Sequence, residues 1–163
     1  MSNYKSIADF NKALLAAQNN MPSAIVQPVK AAFNALAARI KLRVSSTGQD
    51  SEGGSFSPYS AKYKAVKQKR GVSPYGKITS KKNFYLTGNM WGGFGVSNIQ
   101  SGKESVFGRL DFMGNNVFKS NRELNEIHSD NEGKGIGYPT KEEEEQLTED
   151  ITEVIYLYLR AAL

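Results

Sequence analysis

Two stretches with helical periodicity enclose a middle third with a different pattern, and this order constrains the fold most strongly. The first stretch begins at Pro28, a residue suited to the first turn of a helix. It is rich in alanine, and one face repeats the apolar residues Val29, Phe33, Leu36 and Ile40. The second stretch closes the sequence with the apolar stripe Leu147, Ile151, Val154, Ile155, Tyr158 and Leu159. Residues 84–112 instead alternate apolar and polar side chains, as strands do, with a hairpin signal at Ser101-Gly102. The order predicts an α+β fold, a small antiparallel β-sheet flanked by helices.

We expect one domain over residues 1–163, the default for a chain of this length. Residues 1–22 should form an N-terminal helical extension whose helix, 4–19, is broken at Asn20, Met21 and Pro22. Residues 23–163 should form the core of the domain.

Capping signals set the other expected boundaries. The second helix should end near Val44, and Ser57 followed by Pro58 predicts the start of a third helix, which Gly71 ends. Thr140 and Glu143 form a capping box at the start of the last helix.

Polar, glycine-rich stretches separate these elements. Residues 45–57 are expected to be a flexible loop, and residues 71–83 a second loop. Residues 116–128 should form a helix, and residues 129–139 a further loop.

Charge is divided unevenly along the sequence. Residues 1–110 hold sixteen Lys/Arg and four Asp/Glu, whereas residues 111–163 hold five Lys/Arg and twelve Asp/Glu. A molecule with one basic and one acidic part can attract a copy of itself head to tail, and such contacts close into rings when the rotation allows. Assembly is therefore the first functional hypothesis.

The sequence indicates no catalytic, metal-binding or phosphate-binding site. The sequence has no cysteine, which excludes disulfides and thiolate metal sites. Its one histidine, His128, lies near Glu126, Asp130 and Glu132 without a recognised ligand spacing. Residues 132–135 match a phosphate-binding loop only in part, and no nucleophile elbow is present. We expect no enzyme activity, no metal and no cofactor, and no membrane segment.

The lysine-rich segment 62–82 allows three interpretations. Its lysines alternate with aromatic residues, a pattern that can bind single-stranded nucleic acid by charge and stacking. A solvated lysine face over a core-facing aromatic stripe explains the same spacing. The lysines can also meet the acidic face of a neighbouring subunit. The candidates for such an interface are Lys62, Lys67, Lys69, Arg70, Glu142, Glu143, Glu144 and Glu145.

Several motifs occur in a familiar order. Ala-Arg-Ile-Lys-Leu-Arg at 38–43 precedes a loop with Asp50, Gly53 and Gly54. Phe-Ser-Pro-Tyr-Ser at 56–60, Tyr63 and a lysine-rich helix follow, and then Asn-Phe-Tyr-Leu-Thr-Gly-Asn-Met at 83–90. Over residues 33–163 this order resembles the virion morphogenesis, tail-completion and head–tail connector proteins of tailed bacteriophages. One departure is Gly-Tyr-Pro-Thr at 137–140, where relatives have an Arg-Pro start to the last helix.

The resemblance implies a structural viral protein of the virion neck, made in the host bacterial cytoplasm. Proteins of this kind form homo-oligomeric rings, often of six or twelve subunits, between portal or adaptor proteins and the tail. They serve as connectors or tail terminators around the DNA path, and DNA passes them without specific binding. On this interpretation the residues that shape the fold are Pro58, Tyr59, Tyr63, Leu86, Thr87, Gly88 and Trp91. Replacing Glu142, Glu143, Glu144 and Glu145 with lysine should impair assembly and leave the monomer folded.

Overall fold

Helices dominate the fold, and one β-hairpin lies against one of the two longest of them. The structure is a computed structural model and describes residues 4, 6–85, 87–103, 105–115 and 119–163. Within those ranges there are seven helices and one two-stranded antiparallel sheet, which confirms the α+β class. The elements are α1 (Ile7–Ala24), α2 (Val26–Thr47), α3 (Ala61–Arg70), α4 (Ser73–Lys77), α5 (Asn89–Gly92), β1 (Phe94–Ser101), β2 (Val106–Phe112), α6 (Asn121–Glu132) and α7 (Lys141–Ala162).

The hairpin of β1 and β2 lies on α2. Its register pairs Phe94 with Phe112 at one end and Ser101 with Val106 at the turn, which confirms the predicted turn at Ser101-Gly102. The predicted extended segment at Phe84 is wrong. Phe84 has φ +50, a left-handed conformation that no regular strand contains.

Trp91 is the centre of the core. It is fully buried and is the largest of the fully buried side chains. Its ring contacts Phe94 and Phe112, with centroids 5.6 Å and 5.5 Å away. Other members of the same cluster are Val44, Phe56, Met90 and Ile136. The core thus joins the end of α2, the hairpin and the segment before α7.

Two helix boundaries differ from the prediction. α1 continues through Pro22 to Ala24. Proline removes only one helical hydrogen bond, and the pattern resumes where Ile25 N–H donates to the Met21 carbonyl at 3.0 Å. The third helix begins at Ser60 instead of Ser57. The Ser60 hydroxyl caps it by accepting from Tyr63 N–H at 3.3 Å.

The ends of α2 and α3 and the start of α7 follow the sequence closely. α2 extends three residues past Val44 and ends at Gly48, which has φ +70. Gly71 ends α3 as expected, and both hydrogen bonds of the Thr140–Glu143 capping box are present.

The predicted loops are more structured than expected. Asp50, in the 45–57 segment, is 1% exposed, accepts from Glu52 and Gly54 N–H at 2.8 Å and 2.9 Å, and pairs with Lys134. These contacts tie the segment to the body of its own subunit, so it is not a free arm. α4 lies within 71–83. The predicted helix over 116–128 is wrong at both ends, since α6 begins at Asn121, after the Ser120 cap, and extends to Glu132.

Gly88 occupies a turn that requires glycine, as predicted. It has φ +89, and a Cβ there would lie 2.5 Å from the Tyr85 hydroxyl. We expect Gly88→Ala to lower the free energy of unfolding by about 2 kcal/mol in urea titrations. Gly92→Ala is the matched control, since a Cβ at Gly92 meets nothing within 4 Å. Equal stability of the two variants would contradict the strain at Gly88.

Candidate assembly interface

Helix α7 is only half covered by the rest of its own subunit. It packs against α1 and α2, yet none of its residues is buried. The apolar stripe that the sequence predicts faces its partners with partial exposure, and Tyr156 and Leu157 remain 62% and 52% exposed. A helix whose apolar face lies partly in solvent loses stabilisation that a neighbouring surface would supply.

Helix α1 has the same property. Ile7 and Leu15 are 81% and 60% exposed, and Ala17 and Pro22 are its only buried residues. Its link to α7 includes a hydrogen bond from the Tyr158 hydroxyl to the Ala17 carbonyl at 3.1 Å. α1 and α7 together therefore present apolar side chains to solvent.

The lysine face of α3 is partly as predicted. Lys62, Lys69 and Arg70 are exposed. Lys67 is fully buried, so its proposed role at an interface is wrong. Its ammonium lies 4.8 Å from the centroid of the Tyr59 ring, and it donates to Asn83 Oδ1 at 2.9 Å and to the Tyr85 carbonyl.

The acidic start of α7 also divides into two groups. Glu142, Glu144 and Glu145 are exposed. Glu143 instead accepts two hydrogen bonds from Arg43, at 3.0 Å and 3.2 Å, and one from Thr140 N–H at 2.9 Å. Glu143 therefore holds its own subunit together, and a fourfold reversal that includes it would disturb the monomer as well as any interface.

Other ion pairs neutralise part of the charge asymmetry within the subunit. Arg39 binds Asp150 at 2.8 Å, joining α2 to α7, and Lys82 binds Glu132 at the end of α6. The charges left for a neighbour are therefore fewer than the sequence indicates.

The basic helix and the acidic helix start are both tied to the C-terminal end of α2, through different residues. Arg43 binds Glu143 of α7, whereas the Ser45 carbonyl accepts a long contact of 3.5 Å from Asn83, the residue that holds Lys67 of α3. The unlike charges therefore belong to separate elements of the subunit.

The motif residues from the sequence surround one buried polar cluster. The Tyr59 hydroxyl accepts from Phe84 N–H at 2.9 Å and Asn83 N–H at 3.2 Å, and burial raises the pKa of Tyr59. Tyr63 packs on the Tyr59 ring, with centroids 5.0 Å apart. Thr87 and Gly88 lead into α5, Pro58 lines the groove described below, and Leu86 lies outside the described residues.

Asn83 is the residue that sequence reasoning missed. Its side chain binds Lys67 and donates to the Tyr75 carbonyl at 2.8 Å, and its own carbonyl accepts from the Trp91 indole at 3.1 Å. Asparagine in a loop is typical of turns, so no local signal marked it as buried.

Lys67 makes stability depend on pH. Burial lowers its pKa to about 8, below the value of an unfolded lysine, so folding is opposed by the charged form at neutral pH. This cost is relieved as the pH rises through 8, and the free energy of unfolding should increase by about 2 kcal/mol between pH 7 and 9.5. Titration of the tyrosines in the unfolded chain, with a pKa of about 10, acts in the opposite direction and is only partial by about pH 9.5.

The measurement is urea unfolding across this pH range. Lys67→Met should flatten the rise, and Lys69→Met, at an exposed position, should leave it unchanged. A rise that persists in Lys67→Met would assign the effect to another group.

An open groove of about 610 Å³ lies between the start of α3 and the end of α6. Its walls include Pro58, Tyr59 and Tyr63 on one side and Phe84 and His128 on the other. Burial, with a smaller effect of Lys82, lowers the pKa of His128, so its imidazole is neutral at pH 7. The Lys82–Glu132 pair also lines the groove, and its charges cancel.

The described part of the chain contains no group of three or more His, Asp and Glu side chains placed to hold a metal ion. None of the helices in the described ranges has the length and apolar character needed to cross a membrane. Comparison with models of protein families, with curated protein sequences and with solved structures finds no match to this chain.

Proposed function

We propose that this protein is a structural subunit that assembles with copies of itself into a ring at the head–tail junction of a tailed-phage virion. The observation that carries the proposal is α7, a helix of 22 residues with an apolar stripe and no buried residue. An apolar stripe of this length that its own subunit covers only in part favours a chain that completes its packing in an assembly.

Charge supports a head-to-tail contact. The exposed glutamates at the start of α7 and the exposed Lys62, Lys69 and Arg70 of α3 belong to different elements of the subunit. Where such a contact is not reciprocated between the same two copies it is heterologous, and its repetition closes a ring if the rotation fits. Rim charges orient the docking, and apolar contacts hold it.

The proposed location in the virion is based on the order of the sequence motifs, which resembles the order in phage connector and tail-completion proteins. In that setting the ring joins portal-side proteins to the tail and lines the DNA path. Catalysis has no part in this function, because the mechanism is geometric.

The test has two stages. Light scattering and electron microscopy of the purified chain should give one closed ring, and gold labelling of purified virions should mark the neck. A monomer at all concentrations up to about 1 mM would contradict the assembly, and label on the capsid surface or the tail tip would contradict the location.

Nucleic-acid binding through residues 62–82 remains the alternative. Tyr63 and Tyr75 are 36% and 41% exposed, as stacking would need. Two of the lysines in that segment are occupied inside the subunit, however, because Lys67 is buried and Lys82 pairs with Glu132. Tight oligonucleotide binding by the monomer, with a steep loss of affinity in salt, would favour this alternative.

A further inference from the structure

We infer that the groove between α3 and α6 receives Tyr138 and Pro139 of a second copy of this chain, as the anchor of the proposed ring contact. This inference rests on the proposed function and identifies the two surfaces that meet in the contact between subunits. Tyr138 is 66% exposed, the most exposed tyrosine in the described ranges, and it directly precedes the acidic start of α7.

The chemistry of the groove suits this segment. Aromatic rings and Pro58 form its walls, and it contains no net charge, since His128 is neutral and Lys82 is paired with Glu132. An amphipathic ring next to a proline fills such a space with apolar contact, and the phenol hydroxyl can reach the polar rim. Buried tyrosines of this kind are frequent anchors of protein interfaces.

Charge complementarity continues beyond the anchor. Glu142 is four residues after Tyr138, a separation of at most about 14 Å. On the receiving side, Lys62 is adjacent in sequence to Tyr63. Lys69 follows Tyr63 by six residues, or about 9 Å along the axis of α3. A segment anchored in the groove therefore brings its glutamates within reach of the lysine face. The whole span 53–103 contains no acidic residue that would repel them.

Within one subunit, Tyr138 does not lie in the groove. Ser129 lines the cleft that also contains Tyr138, whereas Asn131 lines the groove. These two residues are two positions apart on α6, so the cleft and the groove lie on different faces of that helix. The contact proposed here therefore joins two molecules.

A photo-cross-linking phenylalanine in place of Tyr138 tests the placement directly. In a mixture of isotopically labelled and unlabelled chains, we expect cross-links between copies that map to residues 57–63. Cross-links between copies that map elsewhere would overturn this inference and leave the ring proposal intact. A chain that forms no oligomer would overturn both.

Substitution gives a second measurement. Tyr138→Ser should raise the dissociation constant of assembly about thirtyfold, as expected for an interface anchor, and Tyr63→Ser should have a comparable effect. Phe107→Ser removes an equally exposed aromatic ring from β2, away from the groove, α1 and α7, and is the matched control for the anchor. If all three variants assemble alike, or if Tyr63→Ser abolishes binding of a single-stranded oligonucleotide without affecting assembly, the inference fails.

Discussion

Reversing the charge of Glu142 and Glu145 to lysine is expected to abolish self-assembly at physiological salt while the monomer stays folded. Both side chains are exposed and lie three residues apart, on one face of α7. Each reversal replaces an attraction to the lysine face by a repulsion, and like charges brought together cost several kcal/mol per contact. We therefore expect association at each interface to weaken at least about a hundredfold.

The variant leaves Glu143 in place because Glu143 completes the capping box and binds Arg43. The charge reversal near the helix N-terminus should weaken the favourable interaction with the helix dipole only slightly, because solvent screens an exposed charge. Glu149→Lys with Glu153→Lys is the matched control, since it makes the same change in net charge two turns further along α7. Oligomer mass by light scattering gives the answer, and similar masses for both double variants would show that net charge, not the pairing, controls assembly.

Replacing Asn83 with alanine should have the largest effect on the stability of the subunit. The side chain is fully buried and is one of two hydrogen-bonded acceptors for the Lys67 ammonium. Without it, the lysine keeps its charge in the core with one partner fewer, and the Tyr75 carbonyl loses a donor. Leaving a buried charge poorly compensated costs about 3–5 kcal/mol.

Chemical unfolding at pH 7 measures this loss. Asn98→Ala, on the exposed side of β1, is the control and should change stability by less than about 0.5 kcal/mol. The loss in Asn83→Ala should shrink at pH 9.5, where Lys67 is mostly neutral. A loss that is small, or that does not depend on pH, would contradict the role of the cluster.

The parts of the fold that were predictable are those encoded locally. The capping box needs only Thr140 and Glu143, three residues apart, and the apolar period of α2 lies within one helix. The Ser101-Gly102 turn and the glycine at position 88 are likewise set by a few neighbouring residues.

The parts that failed depend on residues far apart in the sequence. α3 has lysines on several faces, and only its packing on Asn83 and Tyr85 selects Lys67 for burial. In the sequence, nothing distinguishes Glu143 from the glutamates beside it. Its role depends on the contact with Arg43, one hundred residues earlier. The helix at Pro22 was also not predictable from local sequence. The loss of one hydrogen bond is tolerated there because Ile25 and the proline itself are buried.

The most direct test of head-to-tail assembly is a mixture of two complementary variants. One carries Lys62→Glu and Lys69→Glu, and the other carries Glu142→Lys and Glu145→Lys. Each alone should remain monomeric. An equimolar mixture should form alternating rings of wild-type appearance, because every contact then joins unlike charges. A mixture that stays monomeric while both variants remain folded, or variants that assemble alone as the wild type does, would contradict the account.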